Sequence, residues 1–329
     1  MRKFIKSKKN ILFLCFFVLL TCTACSNPRG QDGKTKVNEI IASEEITVKK
    51  SQVNTTELND KALIKKYKKL DKDDTITIEP TSFSDAFSNG WFEGLVVWPL
   101  AQCINFFAGL TDAGIGVIIT TILLQGIVFI MTYKSQMGNQ RLQEVQPEVV
   151  KIQEKYRDKT DQRSQMMQAQ EIQKIYEKYD IHPFGTMLVT FIQLPILMGM
   201  YYATMRAASV VYGSFLGIPF IGTPADGFTK GQYVYIVIWV LMILGQLLTM
   251  KMPQILKKWQ DKKDHVKKKA YAEPKNAMMS SMNLYMYFMT AMIAFMAFNW
   301  PIAMSFYWFV SSLINIIKSV SLHFYMQKH

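Results

Sequence analysis

Residues that carry chemistry are scarce in this chain. Its 329 residues include four cysteines and four histidines. His182, His265, His323 and His329 stand at no metal-ligand spacing with a cysteine or with one another. No glycine-rich phosphate loop and no nucleophile motif occurs. The sequence therefore predicts no cofactor, no metal and no bond-making activity. Charge is missing from a second place, the middle of the apolar runs. Only Lys318 stands inside one, near enough to its end to be expected to snorkel out. Proton- and ion-coupled transporters place a carboxylate, a histidine or an ion cage within the membrane, so that class is disfavoured.

What is present is apolar. Half of the residues are hydrophobic, 13% are aromatic and 21 are methionine, and the apolar residues gather into runs of about 18 or more, long enough to cross ~30 Å of hydrocarbon as helix. This is the pattern of an integral membrane protein, and it excludes a soluble enzyme, a secreted disulfide scaffold and a disordered chain. The formal charge of +13 is unevenly placed: nine lysines fall in 251–276 against Asp261, Asp264 and Glu273. Basic loops beside spans read as topology signals and as contacts for anionic lipid, not as DNA-binding surface.

Residues 1–24 read as a signal peptide. Arg2, Lys3, Lys6, Lys8 and Lys9 precede the short apolar run Ile11 to Leu20. Cys22-Thr23-Ala24-Cys25-Ser26 then places small residues before a cysteine, as at a bacterial lipoprotein cleavage site, which makes Cys25 the expected lipidated N-terminus. Cleavage there removes Cys15 and Cys22 and leaves Cys103 as the one free thiol. The alternative is an uncleaved anchor with an ordinary thiol at Cys25. Residues 25–82 are polar, mixed in charge and poor in aromatics, and predict an exposed extracytoplasmic tether with a lysine-rich helical patch at Lys61 to Leu70. Phe83 to Leu110 alternates aromatics with small polar residues around Pro99, which fits an amphipathic helix in the outer interface. A buried sixth span is the alternative.

Five spans are predicted, at Ala113 to Tyr133, Phe184 to Thr204, Tyr233 to Met250, Met282 to Phe298 and Ile302 to Leu322. With a lipidated N-terminus outside, five crossings leave the tail 324–329 in the cytoplasm. The positive segments 134–183 and 251–276 then fall inside, in agreement. Within 134–183, Leu142, Val145, Val149, Ile152 and Tyr156 recur at alternating spacings of three and four, and Ala169, Ile172, Tyr176 and Tyr179 repeat the seam. This predicts an antiparallel helical hairpin in the cytoplasm, its first helix bent or frayed by Pro147.

Polar residues inside the spans form stripes: Thr121, Gln125 and Thr132; Thr186, Thr190, Gln193, Tyr201 and Thr204; Gln246 and Thr249; Asn283 and Thr290; Trp308, Ser312, Asn315 and Ser319. Such residues face a bundle interior or water, although simple hydrogen bonding between helices accounts for any one of them. Met278, Met279, Met282, Met286, Met289, Met292 and Met296 crowd the fourth span and its approach. They suit either a sliding surface for varied apolar clients or plain lipid contact.

The order of parts resembles the YidC/Oxa/Alb family of membrane protein insertases, in its five-span SpoIIIJ-like form. The likeness covers about residues 84–323, and the insertase-like membrane domain is expected at 83–323. Its specific pieces are Gln143-Glu144-Val145-Gln146-Pro147-Glu148, Lys151-Ile152-Gln153-Glu154-Lys155-Tyr156, His182-Pro183-Phe184-Gly185, Ile192-Gln193-Leu194-Pro195, Phe298-Asn299-Trp300-Pro301 and Tyr307-Trp308. The resemblance implies an all-α membrane domain with a polar groove open to the cytoplasm, which aids client insertion without nucleotide hydrolysis. Gln125, Thr121, Thr190, Gln193, Trp308 and Ser312 are its expected lining. Arg141, Lys151, Lys155, Lys262 and Lys263 are expected to meet clients or the ribosome. The implied partners are nascent membrane proteins, a Sec translocon and anionic lipids. Three positions depart from the family pattern: Gln125 where an arginine is expected, Thr290 in place of a proline, and Ser312 where asparagine is usual. The groove is thus expected to be polar and uncharged. A non-inserting scaffold, or an assembly factor for one membrane complex, is the rival reading.

Overall fold

The computed structural model describes residues 27–58, 60–159, 161–181, 183–263 and 277–328. Cys25, His182 and the loop 264–276 lie outside these residues. The chain divides into two compact units. The first draws on Met1–Leu124, Phe191–Trp239 and Ala297–Tyr307, and the second on Gln125–Thr190, Val240–Met296 and Trp308–His329.

The first unit opens with a small packed module where a tether was expected. Strands β1 (Ile46–Lys49) and β2 (Thr75–Ile78) flank helix α1 (Lys61–Lys68) in the chain. The strands pair antiparallel, with Ile46 opposite Ile78 and Val48 opposite Ile76. Alternation puts Val48, Ile76 and Ile78 on one face, where they bury with Val37, Ile40, Val53, Leu58 and Tyr67. Asp60 caps α1 by accepting from the backbone N–H groups of Ala62 and Leu63. The apolar residues here are too few and too widely spaced among charges to stand out along the chain, yet two short strands and a helix bring them together.

The segment expected to lie in the interface forms three pieces: α2 (Phe83–Ser88), a π-helical turn (Glu93–Val97) and α3 (Trp98–Leu110). By length and hydropathy Glu93–Leu110 could itself cross a membrane. Trp98 Nε1 donates to Thr81 O at 2.9 Å, Gln102 Nε2 to Ala42 O at 3.2 Å and Asn105 Nδ2 to Ile41 O at 2.8 Å. One face of α3 is therefore hydrogen-bonded to the polar module over two turns, while Phe106 and Leu110 are exposed.

The long helices follow: α4 (Ala113–Lys155), α5 (Gln162–Lys178) and α6 (Pro183–Arg206). After these come the short α7 (Ala208–Val211), the small hairpin β3 (Ser214–Phe215) and β4 (Ile218–Pro219), and α8 (Pro224–Thr229). Helices α9 (Tyr233–Lys263), α10 (Ala277–Ala297) and α11 (Ile302–Lys328) complete the fold. Among the described residues, Ala113–Leu142, Tyr233–Gln260 and Ile302–Gln327 also have the length and hydropathy of spans, and Tyr287–Ala297 is a shorter apolar helix. The first hairpin helix is the continuation of the first span, since α4 runs unbroken through 43 residues. Pro147 does not break it. Val145, Val149 and Ile181 form the hairpin core, with Leu142, Ile172, Ile175, Tyr176 and Tyr179 packed against them.

At the end of α6 the guanidinium of Arg206 is almost wholly buried within the first unit. Its Nη2 lies 2.7 Å from Glu93 Oε1 and 3.3 Å from Glu39 Oε2, and Nε donates to Glu39 O at 2.7 Å. Two backbone bonds reinforce this junction, from Ile41 N to Arg206 O at 2.7 Å and from Ala208 N to Ile41 O at 3.0 Å.

Candidate functional site

The second unit holds a polar chain centred on Gln125, which is 2% exposed, and running to the half-buried Lys318. Gln125 Nε2 donates to Ser311 Oγ at 2.8 Å, and Gln125 Oε1 accepts from Lys318 Nζ at 2.7 Å. Ser311 and Lys318 are seven residues apart, two turns along one face of α11, so a single amide on α4 spans both. One turn further along α4, the Phe129 ring lies 5.8 Å from Lys318 Nζ. Among the described residues no carboxylate forms an ion pair with this ammonium.

This arrangement corrects the expectation of an uncharged groove and a snorkelling lysine. Side chains on a helix lean toward its N-terminus. From its place on α11, Lys318 reaches back to the Gln125 carbonyl oxygen, not onward to the helix end. The amide supplies an acceptor that hydrocarbon lacks, and the aromatic ring adds a weaker attraction.

A second set of contacts joins α9, α10 and α11. Thr249 Oγ1 lies 2.9 Å from Gly245 O of its own helix and 3.2 Å from Ser312 O, two carbonyls that share its single hydrogen. Gly245 permits the approach, because a Cβ there would lie 3.2 Å from Ser312 Cβ. Ser312 Oγ donates back to Trp308 O at 2.9 Å, so this hydroxyl is satisfied within its own helix. Thr290, at the position where proline was expected, donates to Met250 Sδ at 3.0 Å. Trp308 lines a small cleft with Met242, Ile243, Gln246, Thr290 and Ile293.

The expected lining is therefore divided. Gln125, Trp308 and Ser312 belong to the second unit, whereas Thr121 and Gln193 belong to the first. Thr121 is fully buried and donates to Val117 O at 2.6 Å, which uses its hydroxyl inside α4. Gln193 is half-buried on α6, and the side chain of Thr190 lies outside the described residues. Gln125 pairs with Ser311, which the stripe through Trp308, Ser312 and Ser319 passed over. Neighbouring residues point about 100° apart on a helix, so this slip of one residue selects a different face.

The cationic positions differ in availability. Lys151, Lys262 and Lys263 are exposed, and Lys263 Nζ lies 5.4 Å from the Trp259 ring centre. Arg141 lies 3.7 Å from Asp180. Lys155 is engaged within the hairpin: it donates to Glu171 Oε1 at 2.6 Å, and Tyr156 Oη donates to the same oxygen at 2.8 Å. Hydrogen bonds from Lys155 and then Tyr156 hold the Glu171 carboxyl below its ordinary range. Among the described residues no group of three or more His, Cys, Asp or Glu side chains gathers in a way that could hold a metal ion.

Residues 105–329 match the family described as 60Kd inner membrane protein. The chain belongs to this family. The match covers helices α4 to α11, the hairpin included, and begins after the N-terminal module. Among relatives, the protein named membrane protein insertase YidC 2 of Bacillus anthracis is 29% identical over 234 residues, covering 70% of this chain and 80% of the relative. Membrane protein insertase MisCA of Bacillus subtilis (strain 168) is 29% identical over 236 residues, covering 71% and 80%. Membrane protein insertase YidC 1 of Lactococcus lactis subsp. lactis is 29% identical over 244 residues, covering 74% and 79%.

Proposed function

We propose that this chain is a membrane protein insertase that aids the insertion and folding of client membrane proteins without nucleotide hydrolysis. The observation that carries the reading is the Lys318–Gln125–Ser311 chain, a buried amide and hydroxyl joined to a half-buried lysine among helices that are otherwise apolar. A client's short polar segment loses hydration as it crosses the bilayer, and an amide, a hydroxyl and an ammonium at depth lower that cost. Burial of the client's own apolar span supplies the driving force, roughly 25 cal/mol per Å². The names of the relatives support the same reading.

The site is then the network, with Trp308 and Ser312 as packing residues beside it. Arg141, Lys151, Lys262 and Lys263 serve as contacts for clients, the ribosome or anionic lipid, while Lys155 mainly fastens the hairpin. We assign the lipidated Cys25 and the N-terminal module to the outer face, and the hairpin and C-terminus to the cytoplasm. A Sec translocon is a further partner of this reading.

The test is complementation of a bacterium depleted of its own insertase, with protease protection of several unrelated clients. Rescue of many clients supports the proposal, and rescue of one membrane complex alone replaces it with a dedicated assembly factor. A cysteine placed at Lys159 should resist an impermeant thiol reagent in intact cells and react after lysis; labelling from outside inverts the orientation. Mass spectrometry of the mature N-terminus should find diacylglycerol on Cys25, and a retained Met1 to Ala24 segment rejects the anchor.

A further inference from the structure

We infer that the tip of the β3–β4 hairpin is a lipid-embedded anchor, with Leu216 entering the acyl-chain boundary of the leaflet in which α4 and α11 begin. The hairpin turns through two residues, Leu216 and Gly217, whose φ angles are 51° and 79°. Positive φ at both is what a two-residue turn of the primed type requires, and asparagine, aspartate and glycine are its ordinary occupants. The left-handed region disfavours a leucine, whose Cβ crowds the following carbonyl. Packing does not call for it either, since the residue is 79% exposed. Neither the backbone nor the core of the protein explains leucine at this place. An apolar medium around the tip does.

The hairpin is fastened where the apolar helices start. Phe215 packs on Gly114, the second residue of α4, where any side chain would strike its ring. The same ring lies 5.7 Å from that of the buried Phe220 and 5.1 Å from that of Phe306, which is about 6 Å along α11 from Ile302. Ile302 N donates to Gly222 O at 2.7 Å and Ala303 N to Phe220 O at 3.2 Å, so the chain leaving β4 is tied to the first turn of α11. The apolar stretches of α4 and α11 begin at Ala113 and Ile302, and a single Cα step of ~3.8 Å separates Leu216 from Phe215. The tip therefore adjoins the boundary between water and hydrocarbon. Helix α3 ends at the same place, with the exposed Phe106 and Leu110 on one of its faces just before Ala113. The charge pattern agrees. From 207 to 225 the chain carries no Asp, Glu, Lys or Arg, although this segment connects two long helices and would ordinarily be polar if bathed in water. A charge entering lipid is penalised, whereas a leucine gains there. A second polypeptide would also suit an apolar tip, but contact with the starts of α4 and α11 brings lipid within reach in every copy of the protein, which favours lipid as the occupant.

The experiment places a nitrobenzoxadiazole label on Leu216→Cys in the full chain carrying Cys103→Ser, in phosphatidylcholine nanodiscs, with the signal of the labelled Cys103→Ser parent subtracted. Lys68→Cys, exposed on α1, and Ile130→Cys, 75% exposed on α4, serve as references for water and for lipid. Doxyl groups on the acyl chains should quench the label at 216 to within about twofold of that at 130, and iodide, an ion that apolar surroundings exclude, should quench it about fivefold less than at 68. A second arm separates lipid seating from turn geometry by labelling Ser214→Cys with and without Leu216→Asn. Asparagine suits the turn, so the hairpin is kept while doxyl quenching at 214 should fall about threefold or more. Iodide quenching equal to that at 68, with no doxyl quenching, overturns the inference. Shielding from iodide without doxyl quenching also overturns it, because another copy of the chain or a client then covers the tip. Undiminished doxyl quenching at 214 in Leu216→Asn does so as well, since the leucine would then contribute nothing to the seating.

Discussion

Replacing Arg206 with methionine should undock the N-terminal module without unfolding the chain. The Arg206 side chain is 7% exposed, and its partners Glu39 and Glu93 are 15% and 16% exposed. Methionine keeps most of the apolar stem but leaves two nearly buried carboxylates and the Glu39 carbonyl without their cation. Removing one member of a buried ion pair costs about 3–5 kcal/mol, largely because the remaining charge has lost its compensation. The backbone bonds from Ile41 N and Ala208 N remain, so the loss falls on local opening of this junction. At about 1.4 kcal/mol per factor of ten, the open population should rise by roughly two to three and a half orders of magnitude. Hydrogen exchange of residues 37–42 and 206–212 in nanodiscs would measure this. Adding Glu39→Gln and Glu93→Gln to Arg206→Met should recover much of the protection, because no uncompensated charge is then buried. Exchange within twofold of wild type in the single variant, or a triple variant worse than the single one, refutes the reasoning.

Three further outcomes are expected. Ile181→Ala removes a 3% exposed side chain from the hairpin core and should cost about 2–5 kcal/mol, read as lost exchange protection across 142–181 with the spans retained. Glu171 has its pKa depressed by Lys155 and Tyr156, so its contribution to hairpin stability is present above the ordinary carboxylate range and is lost as pH falls through the depressed value. Hairpin stability should fall at acid pH, and Glu171→Gln should flatten that limb; an unaltered profile rejects the assignment. Gly245→Leu forces a side chain where even a Cβ would meet Ser312 Cβ at 3.2 Å and should destabilise the packing of α9 on α11 by about 1–3 kcal/mol, seen as a lower thermal midpoint in detergent than that of Gly109→Leu, where a Cβ meets nothing within 4 Å.

The hairpin shows how far local pattern reaches. Val145, Val149, Ile172, Tyr176 and Tyr179 were legible as a seam because helical periodicity repeats within a few residues, and the structure packs them together while adding Ile175 and Ile181. The fate of Pro147 was not legible in the same way. Its ring removes one hydrogen bond from a helix that continues for 43 residues, and the surrounding helix carries through that loss.

The apolar runs, the charge between them and the seam of the hairpin were determined by the sequence alone, since each depends on neighbours within one or two turns. Gln125, too, was marked by its residue type within an apolar helix. Only the tertiary structure decided what Gln125 does, because Ser311 and Lys318 reach it across 186 and 193 residues of chain. The choice of Ser311 over Ser312 is a matter of about 100° of helix rotation, which packing sets and composition does not record. The module at 27–80 depended on the same kind of distant closure. Its β1–β2 pairing joins strands on either side of α1, and Arg206 binds Glu39 across 167 residues. Residues that look like a solvated tether one by one become a core once a buried guanidinium and two strands hold them in place.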